Sequence, residues 1–188
     1  MTENIKECID EVLWENFTRG EEKAFEELYK RFYPLLYSYG YRMTGDKMLT
    51  CDIIQNLFMK LFQDSHKLLA INNVRAYLFS AFRNRLLNAL QAAPFTEDIS
   101  QHEYSFYVDE SSILTLLFPH EDQKYQQQQK LLKALSLLKP NQREILYLFY
   151  IKDLSHQEIA TILSINYQSS KNLLSRSLVK LKEIYFSL

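Results

Sequence analysis

Residues 154–182 read LSHQEIATILSINYQSSKNLLSRSLVKLK, and this stretch predicts two helices joined by a very short turn. Ser155 can cap the first helix, and Glu158 can complete a capping box by reaching back to the N–H of the cap. The run Ser164-Ile165-Asn166 breaks the apolar pattern, and its last residue is a good cap for the next helix. A short helix, a brief turn and a longer helix with a polar face are the layout of a helix-turn-helix.

The second of these helices has one face made of polar side chains. At about 100° per residue, amide, hydroxyl and cationic groups fall together opposite Leu174 and Leu178. Such groups contact base edges and phosphates in a major groove. An ordinary solvated surface is the alternative, and the turn lacks a glycine, but the combination favours DNA binding. The predicted contacts are Gln168, Ser169, Asn172, Ser175, Arg176 and Lys180, with Lys171 off the centre of the face.

Composition predicts an all-α protein. A chain of 188 residues has room for one large or two small domains. Because 47% of it is hydrophobic, it can build a core, and wholesale disorder is not expected. The chain has only three glycines and four prolines, and its long segments follow the helical period.

Several classes of protein do not fit the sequence. Cys8 and Cys51 lack metal-ligand spacing and suit reduced, buried thiols in a cytoplasmic protein. The four histidines are scattered, and no nucleophile–base pair or phosphate loop occurs, so we expect no metal, no cofactor, no small-molecule substrate and no enzymatic activity. The start of the chain does not resemble a signal peptide. No apolar run approaches the ~20 residues of a membrane span, so direct membrane insertion is not expected.

Charge is distributed unevenly. Residues 131–188 carry eight Lys/Arg against four Asp/Glu, whereas the rest of the chain carries fourteen against nineteen. A basic C-terminal third beside an acidic remainder suits a molecule with two different partners.

Apolar periodicity predicts four helices in the first ninety residues, which form one compact bundle. The first helix ends at Gly20, a plausible C′ residue. The second contains Pro34, which should kink or interrupt it. The third begins at about Asp46, and Asn72 or Asn73 can cap the fourth.

Beyond this bundle the periodicity weakens. The next forty residues are rich in Asp and Glu and predict a flexible acidic linker with scattered apolar anchors, such as Phe106 and Leu116-Leu117-Phe118. Helical periodicity resumes at Leu131 and continues through the helix-turn-helix as a small four-helix domain. The predicted parts are a domain over residues 1–90, a linker over 91–130 and a domain over 131–188.

Two motifs occur along the chain. The N-terminal motif has two parts: residues 24–46 read AFEELYKRFYPLLYSYGYRMTGD, and residues 51–62 read CDIIQNLFMKLF. In the C-terminal motif, residues 134–165 read ALSLLKPNQREILYLFYIKDLSHQEIATILSI. On these stretches the chain resembles the sigma-70 family of bacterial RNA polymerase sigma factors, and within it the two-domain extracytoplasmic-function (ECF) class. The N-terminal stretches resemble the opening of the family's region two and its Ala-Glu-Asp-x-x-Gln-x-x-Phe-x-x-x-Trp motif, and the C-terminal stretch resembles region four.

The resemblance implies a specificity subunit that binds core RNA polymerase, directs it to promoters and assists promoter melting. Its partners would be core RNA polymerase, promoter DNA and an anti-sigma protein. The helix-turn-helix face then becomes the contact to the −35 promoter element. The acidic linker would either follow the family's path through the polymerase channels or act as a solvated tether.

The resemblance places the polymerase contact on the third helix, which in the family grips a coiled coil of the largest catalytic subunit. Acid, amide and apolar side chains suit such an interface. Without the resemblance, Ile53, Leu57 and Phe58 would pack the bundle and the polar residues would be merely solvated. The implied contacts are Asp52, Gln55, Asn56, Met59 and Lys60.

The resemblance places the −10 promoter contact on the loop before the fourth helix and on that helix. Opening a promoter requires bases to leave the stack and be held, and amide, aromatic and cationic side chains can hold them. The alternative is that Tyr77 lies in the core and Asn73 serves only as a helix cap. The implied contacts are Asn72, Asn73, Tyr77, Arg83, Asn84, Arg85 and Asn88.

The chain departs from the family pattern at several positions. Ser170 stands where the family usually has Val, and Ser177 where Ala is common. Both lie on the packed side of the recognition helix, so we predict that their hydroxyls bond back to the preceding turn. Thr50 and Cys51 replace the usual Ala-Glu, and Phe62 replaces the Trp.

Two other functions compete with this interpretation. A helix-turn-helix regulator could bind DNA without polymerase, with its N-terminal helices forming a sensing domain. A purely structural helical protein would need no DNA contact at all. The third-helix motif and the absence of a coiled-coil seam disfavour the former, and the basic C-terminal balance disfavours the latter.

Overall fold

The computed structural model describes residues 8–68, 71–92, 105–107 and 125–188. The chain divides into two compact units, residues 1–100 and residues 101–188. Within the described ranges every regular element is a helix and no strand occurs, so the predicted all-α fold is confirmed. None of the described helices is long and apolar enough to cross a membrane.

The N-terminal unit contains the four helices that the sequence predicts. They are α1 (Asp10–Thr18), α2 (Glu22–Thr44), α3 (Lys47–Gln63) and α4 (Val74–Ala92), with a short 3₁₀ turn at Ser65–Lys67. Gly20 has φ +96°, the left-handed conformation expected of a residue that ends a helix. Asp46 caps α3 by accepting a bond from the Leu49 N–H at 3.1 Å.

Pro34 does not interrupt the second helix, so that part of the prediction is wrong. Residues 22–44 form one helix with Pro34 inside it. Proline removes the bond to the carbonyl of Lys30, and its ring crowds that carbonyl. Since both residues lie on the exposed side of the helix, water can replace that bond. On the opposite side, Phe32 and Leu36 are buried and hold the helix together across the proline.

The core of the N-terminal unit is built from large aromatic rings. Trp14, Phe32, Tyr39, Phe79 and Phe82 are each at most 1% exposed. Helix α2 approaches α3 and α4 closely at Gly40, because a Cβ there would lie 2.5 Å from Cζ of Phe82 and 2.8 Å from Cγ2 of Thr50. Only glycine fits at this crossing, which brings the C-terminal part of α2 against the first turn of α3 and the middle of α4.

The described part of the C-terminal unit also has four α-helices. They are α5 (Tyr125–Ser136), α6 (Pro140–Leu146), α7 (His156–Leu163) and α8 (Tyr167–Ser187), and a π-helical segment, Tyr147–Ile151, continues α6. Helix α5 starts within the predicted linker, since its first turns are glutamine-rich and glutamine is a good helix former. The limits of the two domains and the linker, at residues 1–90, 131–188 and 91–130, stay a prediction.

One predicted anchor of the linker is described. Phe106 is 2% exposed, and its ring centroid lies 5.4 Å from that of Tyr147, inside the C-terminal unit. The apolar burial of this ring confirms its predicted role as an anchor. The other anchor, residues 116–118, lies outside the described residues.

Candidate functional site

The helix-turn-helix is held by local caps at both helix starts. Ser155 Oγ accepts a bond from the Glu158 N–H at 3.3 Å, and Glu158 Oε2 accepts one from the Ser155 N–H at 2.8 Å. This is the predicted capping box. Asn166 Oδ1 accepts a bond from the Ser169 N–H at 2.7 Å, so Asn166 caps α8 as predicted. Both helix starts are therefore fixed by residues within one turn of them.

The turn between α7 and α8 closes without a glycine. Ser164 takes the left-handed conformation, with φ 55° and ψ 43°. A residue with a Cβ pays roughly 1–2 kcal/mol for that conformation. Two bonds close the turn: the Ile165 N–H donates to the Ala160 carbonyl at 2.9 Å, and the Ser164 N–H donates to the Thr161 carbonyl at 3.3 Å.

The two serines on the packed side of α8 behave differently from each other. Both are fully buried. Ser177 Oγ donates to the carbonyl of Leu173 at 2.7 Å, so the predicted bond back to the preceding turn is confirmed there. Ser170 Oγ instead lies 3.1 Å from Nδ1 of His156, on the other helix of the motif. The prediction for Ser170 is corrected, because a side-chain partner on α7 takes its hydroxyl.

His156 therefore joins the two helices, a role that the sequence did not reveal. Its ring centroid lies 5.1 Å from that of Phe149 and 6.0 Å from that of Tyr167. The side chain is half-buried. It fixes the start of α8 relative to α7, which sets the direction in which the predicted DNA-binding face points.

The predicted −35 face of α8 is directed outward. Its residues are exposed, except that Ser169 is half-buried. Gln168 Nε2 donates to Asn172 Oδ1 at 3.1 Å, across one helical turn. Lys180 pairs with Glu183 at 3.2 Å. The remaining predicted members of this face are Lys171, Ser175 and Arg176.

The outer face of α3 carries the predicted polymerase contacts. Asp52, Gln55 and Met59 lie on one strip of the helix, and the strip continues to Met48 and Phe62 at either end, all of them exposed. Met48 is 78% exposed, Met59 59% and Phe62 50%. Exposed methionine and aromatic side chains are enriched at protein interfaces, and the acid and amide groups beside them suit the polar rim. Asn56 and Lys60, also exposed, lie to one side of the strip.

An aromatic groove flanks this strip on the side of α2. Its volume is about 470 Å³, and its lining includes Gln55 and Met59 from the predicted contacts. Ring centroids of Phe25 and Phe62 lie 5.1 Å apart, and those of Tyr29 and Phe58 lie 4.9 Å apart. Periodicity in the sequence does not reveal this groove, because its two walls come from different helices.

A ridge of tyrosines continues from the groove along α2. Successive ring centroids of Tyr29, Tyr33, Tyr37 and Tyr41 are 5.4, 6.2 and 6.2 Å apart. The regular four-residue spacing was the signal that could have found it. The Tyr33 hydroxyl lies 3.3 Å from Cys51 Sγ, and chiefly this hydrogen bond raises the pKa of Tyr33 to about 12. Tyr33 is therefore uncharged at physiological pH.

Asp64, which ends α3, holds one of the predicted polymerase contacts. Its carboxylate pairs with the ammonium of Lys60 at 2.9 Å and with that of Lys67 at 3.3 Å. The hydrogen bond from Lys60, followed by that from Lys67, lowers the pKa of Asp64 below its ordinary 3.8. Lys60 is thus oriented towards the end of α3.

We expect Asp64→Asn to lower the Tm of the N-terminal unit at neutral pH but not in acid. Because the folded-state pKa of Asp64 is lowered, its stabilising contribution is present above the unfolded-state pKa of about 3.9 and is lost as pH falls through the folded-state value. A side-chain NMR titration measures that pKa directly. Lys60→Ala should raise it more than Lys67→Ala does, and a pKa that is unchanged in both variants would contradict the assignment.

The predicted −10 residues at the start of α4 are partly engaged in the fold. Asn73 Oδ1 accepts a bond from the Ala76 N–H at 2.7 Å, so this side chain caps the helix. Tyr77 is half-buried, with its ring centroid 5.3 Å from that of Trp14. Asn72 is exposed beside the cap. The cap by Asn73 and the packing of Tyr77 on Trp14 are the contacts expected if these two residues serve the fold.

The predicted −10 residues further along α4 do not form one patch. Asn84 and Asn88 are exposed and share the face on which Tyr77 lies. Arg83 and Arg85 are half-buried and lie on opposite flanks, roughly 160° apart at the helical period. Arg85 Nη1 donates to the Ala81 carbonyl at 3.2 Å. The structure therefore brings together the two asparagines and separates the two arginines.

The part of the chain that the structure describes contains no group of three or more His, Cys, Asp or Glu residues able to hold a metal ion. The site is instead a pair of surfaces, one on each unit. Each combines exposed polar groups with a rigidly packed helix.

Comparison with known families matches both units. Residues 28–93 match the family described as Sigma-70 region 2, and residues 128–181 match the family described as Sigma-70, region 4. The two matches fall in the order in which the regions are numbered. Together they cover most of α2, all of α3 and α4, and most of the described C-terminal helices.

Individual proteins also resemble the chain. The chain is 27% identical over 166 residues to the ECF RNA polymerase sigma factor SigM of Bacillus subtilis. The matched region covers 86% of this chain and 95% of that protein. It resembles the structure of CnrH in complex with the cytosolic domain of CnrY, with a TM-score of 0.61 at 17% identity, over 95% and 97% of the two chains.

A second solved structure also resembles the chain. It is the sigma factor RpoE in complex with the anti-sigma factor NepR from Bartonella quintana, with a TM-score of 0.55 at 21% identity, over 86% of this chain and 96% of that one. At these identities the likeness to the two structures is one of fold.

Proposed function

Since the chain belongs to the sigma-70 family of RNA polymerase sigma factors, in its ECF subfamily, we propose a division of labour between its two units. The protein binds core RNA polymerase, directs it to promoters and assists their melting. In the proposal, residues 1–90 bind the polymerase and the −10 element, residues 131–188 bind the −35 element, and residues 91–130 link them.

One observation carries this proposal. A capped helix-turn-helix with an outward polar face lies in one unit, and a helix with an exposed acid-amide-methionine strip lies in the other. A regulator that works without polymerase would need only the first of these surfaces. The match of residues 28–93 to region 2 therefore favours the sigma factor over the helix-turn-helix regulator with a sensing domain.

We place the polymerase contact on α3. The proposed residues are Asp52, Gln55, Asn56, Met59 and Lys60, all exposed. Phe62 and the aromatic groove extend the same surface with apolar area, which supplies most of the binding energy at an interface of this kind. The polar members would set the register and orientation.

We place the −10 contact at the start and on the outer face of α4. Asn72, Asn84 and Asn88 are exposed and can hydrogen-bond to unstacked bases. Asn73, Tyr77, Arg83 and Arg85 complete the proposed set, although the first two also hold the helix start. The −35 contact is the face of α8 that contains Arg176.

Arg176→Ala should weaken binding to −35 DNA and make it less dependent on salt. Arg176 is exposed on that face, and each lost phosphate contact lowers the salt slope by about one unit. Affinity measured by fluorescence anisotropy from low to moderate salt gives both quantities. Lys133→Ala, which removes one positive charge from an exposed site on α5, is the control. An unchanged slope in Arg176→Ala would contradict a phosphate contact.

We also propose an anti-sigma factor as the regulator of this chain. The two solved relatives were each captured with another protein, which for RpoE is named as an anti-sigma factor. Such a protein would compete for the surfaces described above. We place the activity in the cytoplasm, where polymerase and promoter DNA are found, and assign the protein no reaction of its own.

Transcription in vitro tests the proposal. The full chain is added to purified core polymerase with a library of genomic fragments from the source bacterium, and initiation is mapped by sequencing the transcript ends. Initiation at defined sites that share two spaced elements is expected. Binding of DNA by the protein alone, with no initiation on any fragment, would support the regulator instead.

A further inference from the structure

Two amide side chains on the recognition helix are joined by a hydrogen bond. Gln168 Nε2 donates to Asn172 Oδ1 at 3.1 Å, and both side chains are exposed. We propose that this pair recognises one adenine in the −35 element, with Asn172 contacting the base and Gln168 positioning its amide. The proposal rests on the proposed function and specifies which base the −35 face selects.

The position of Asn172 suits a base contact. At the helical period it lies roughly 180° from Leu181, which packs on the inner side of α8, so it occupies the middle of the outward face. It lies within two turns of the helix start, and base edges are contacted by the N-terminal residues of a recognition helix. The neighbouring Lys171, Arg176 and Lys180 have long cationic side chains. Such side chains suit the phosphates on either side of the contacted base.

The start of α8 is also rigid. Asn166 caps it, and the contact between Ser170 and His156 ties it to α7. Ser170 is fully buried between the two helices. A contact that distinguishes bases needs such a fixed support, because an error of a fraction of an ångström breaks a pair of hydrogen bonds.

The chemistry of the pair matches adenine. In the major groove adenine presents a donor at N6 and an acceptor at N7, a pattern that a side-chain amide pairs with twice. After accepting from Gln168, Asn172 Oδ1 keeps one lone pair for N6, and both hydrogens of Nδ2 remain to donate to N7. Guanine presents two acceptors in the corresponding places, so its O6 would face the Asn172 carbonyl.

Gln168 restrains the direction in which the Asn172 amide points. If that amide alone turned over, the Gln168 NH₂ group would meet another NH₂ group and the 3.1 Å hydrogen bond would be lost. The bond would form again only if both amides turned over together, so the pair disfavours an independent turn of Asn172. An unsupported asparagine could turn over and accept other bases, so Gln168 acts as a positioning residue.

A promoter library with a randomised −35 element tests the proposal. Transcription by the reconstituted holoenzyme is sequenced for the wild type, Asn172→Ala, Gln168→Ala and, as a control, Gln129→Ala, which removes one exposed amide from α5, outside the proposed contacts. The wild type should prefer adenine at one position. Asn172→Ala should reduce that preference on the order of ten-fold. Gln168→Ala should reduce it less, at the same position, and Gln129→Ala should leave it unchanged.

Asn172→Asp provides a result that misfolding cannot imitate. The carboxylate has the same shape but only accepts hydrogen bonds, and carboxylates accept from N4 of cytosine. The preference at that position should therefore move from adenine towards cytosine, while the other positions keep their profile.

Three results would overturn the proposal. They are an unchanged adenine preference in Asn172→Ala, an equal loss of transcription on every −35 sequence, or an effect of Gln168→Ala at a different position. If the wild-type holoenzyme initiates at no defined site, the proposed function itself fails. That outcome is distinct from specific initiation with an unaltered base profile.

Discussion

Replacing Phe82 with alanine is expected to destabilise the N-terminal unit by about 3–5 kcal/mol, which is a large part of the stability of a small domain. Phe82 belongs to α4, and its ring is fully buried in the core of the unit. Its centroid lies 6.3 Å from that of Tyr39, whose own ring packs 5.4 Å from Phe79. These large rings support each other and cannot close around the missing one, so most of the cavity remains.

Trp14 makes this prediction easy to measure. It is the only tryptophan in the chain, it belongs to the N-terminal unit and it is 1% exposed. Its fluorescence during thermal or urea unfolding therefore reports on that unit alone. For a domain of this size the expected loss lowers Tm by roughly 15–30 °C.

Phe62→Ala is the matched control for Phe82→Ala. It removes the same side chain from the same unit, but Phe62 is 50% exposed. Because folding withdraws less of the Phe62 ring from water, its truncation costs less stability. The expected order is a small shift for Phe62→Ala and a large one for Phe82→Ala. Similar shifts in the two variants would show that the core is not organised around the crossing at Gly40.

The double variant Asp52→Ala, Gln55→Ala is expected to bind core polymerase on the order of ten- to a hundred-fold more weakly, while the N-terminal unit stays folded. Both residues are exposed on α3, so their removal leaves the packing of Ile54, Leu57 and Phe58 intact. Truncation of such interface residues costs about 0.7–1.4 kcal/mol each, so the pair costs about 1.4–2.8 kcal/mol, and every 1.4 kcal/mol is ten-fold in affinity.

Surface plasmon resonance with immobilised core polymerase measures this affinity, and the fluorescence of Trp14 checks the fold. The control is Glu26→Ala, Gln91→Ala, which removes one carboxylate and one amide from exposed sites on α2 and α4. Glu26 pairs with Lys30 at 3.6 Å on the surface, a contact worth little to stability. An affinity equal to that of the control would remove α3 from the polymerase interface.

The predictions from sequence succeeded where the interacting groups lie within one helical turn. Ser155 with Glu158 and Asn166 with Ser169 are each three residues apart and form as expected. The all-α fold and the helices of each unit follow from apolar periodicity in the same local way. For these features the chain needs no tertiary contact, because the backbone itself places the groups together.

The predictions failed or stopped short where the partner lies far along the chain. Ser170 bonds to His156 on another helix rather than to its own turn. Pro34 leaves α2 continuous because Phe32 and Leu36 are buried on its other side. The aromatic groove has one wall from α2 and one from α3. Periodicity finds the apolar side of one helix but not which helix will cover it.

The sequence by itself determined that the chain is helical, where its helices are capped, that it carries a helix-turn-helix, and which family it resembles. These properties depend on residue types at short, fixed spacings. The tertiary structure alone decided that Gly40 is the crossing point and that the start of α8 is tied to α7 through His156. Those properties depend on packing between helices, and packing follows from the shapes of side chains that are distant in sequence.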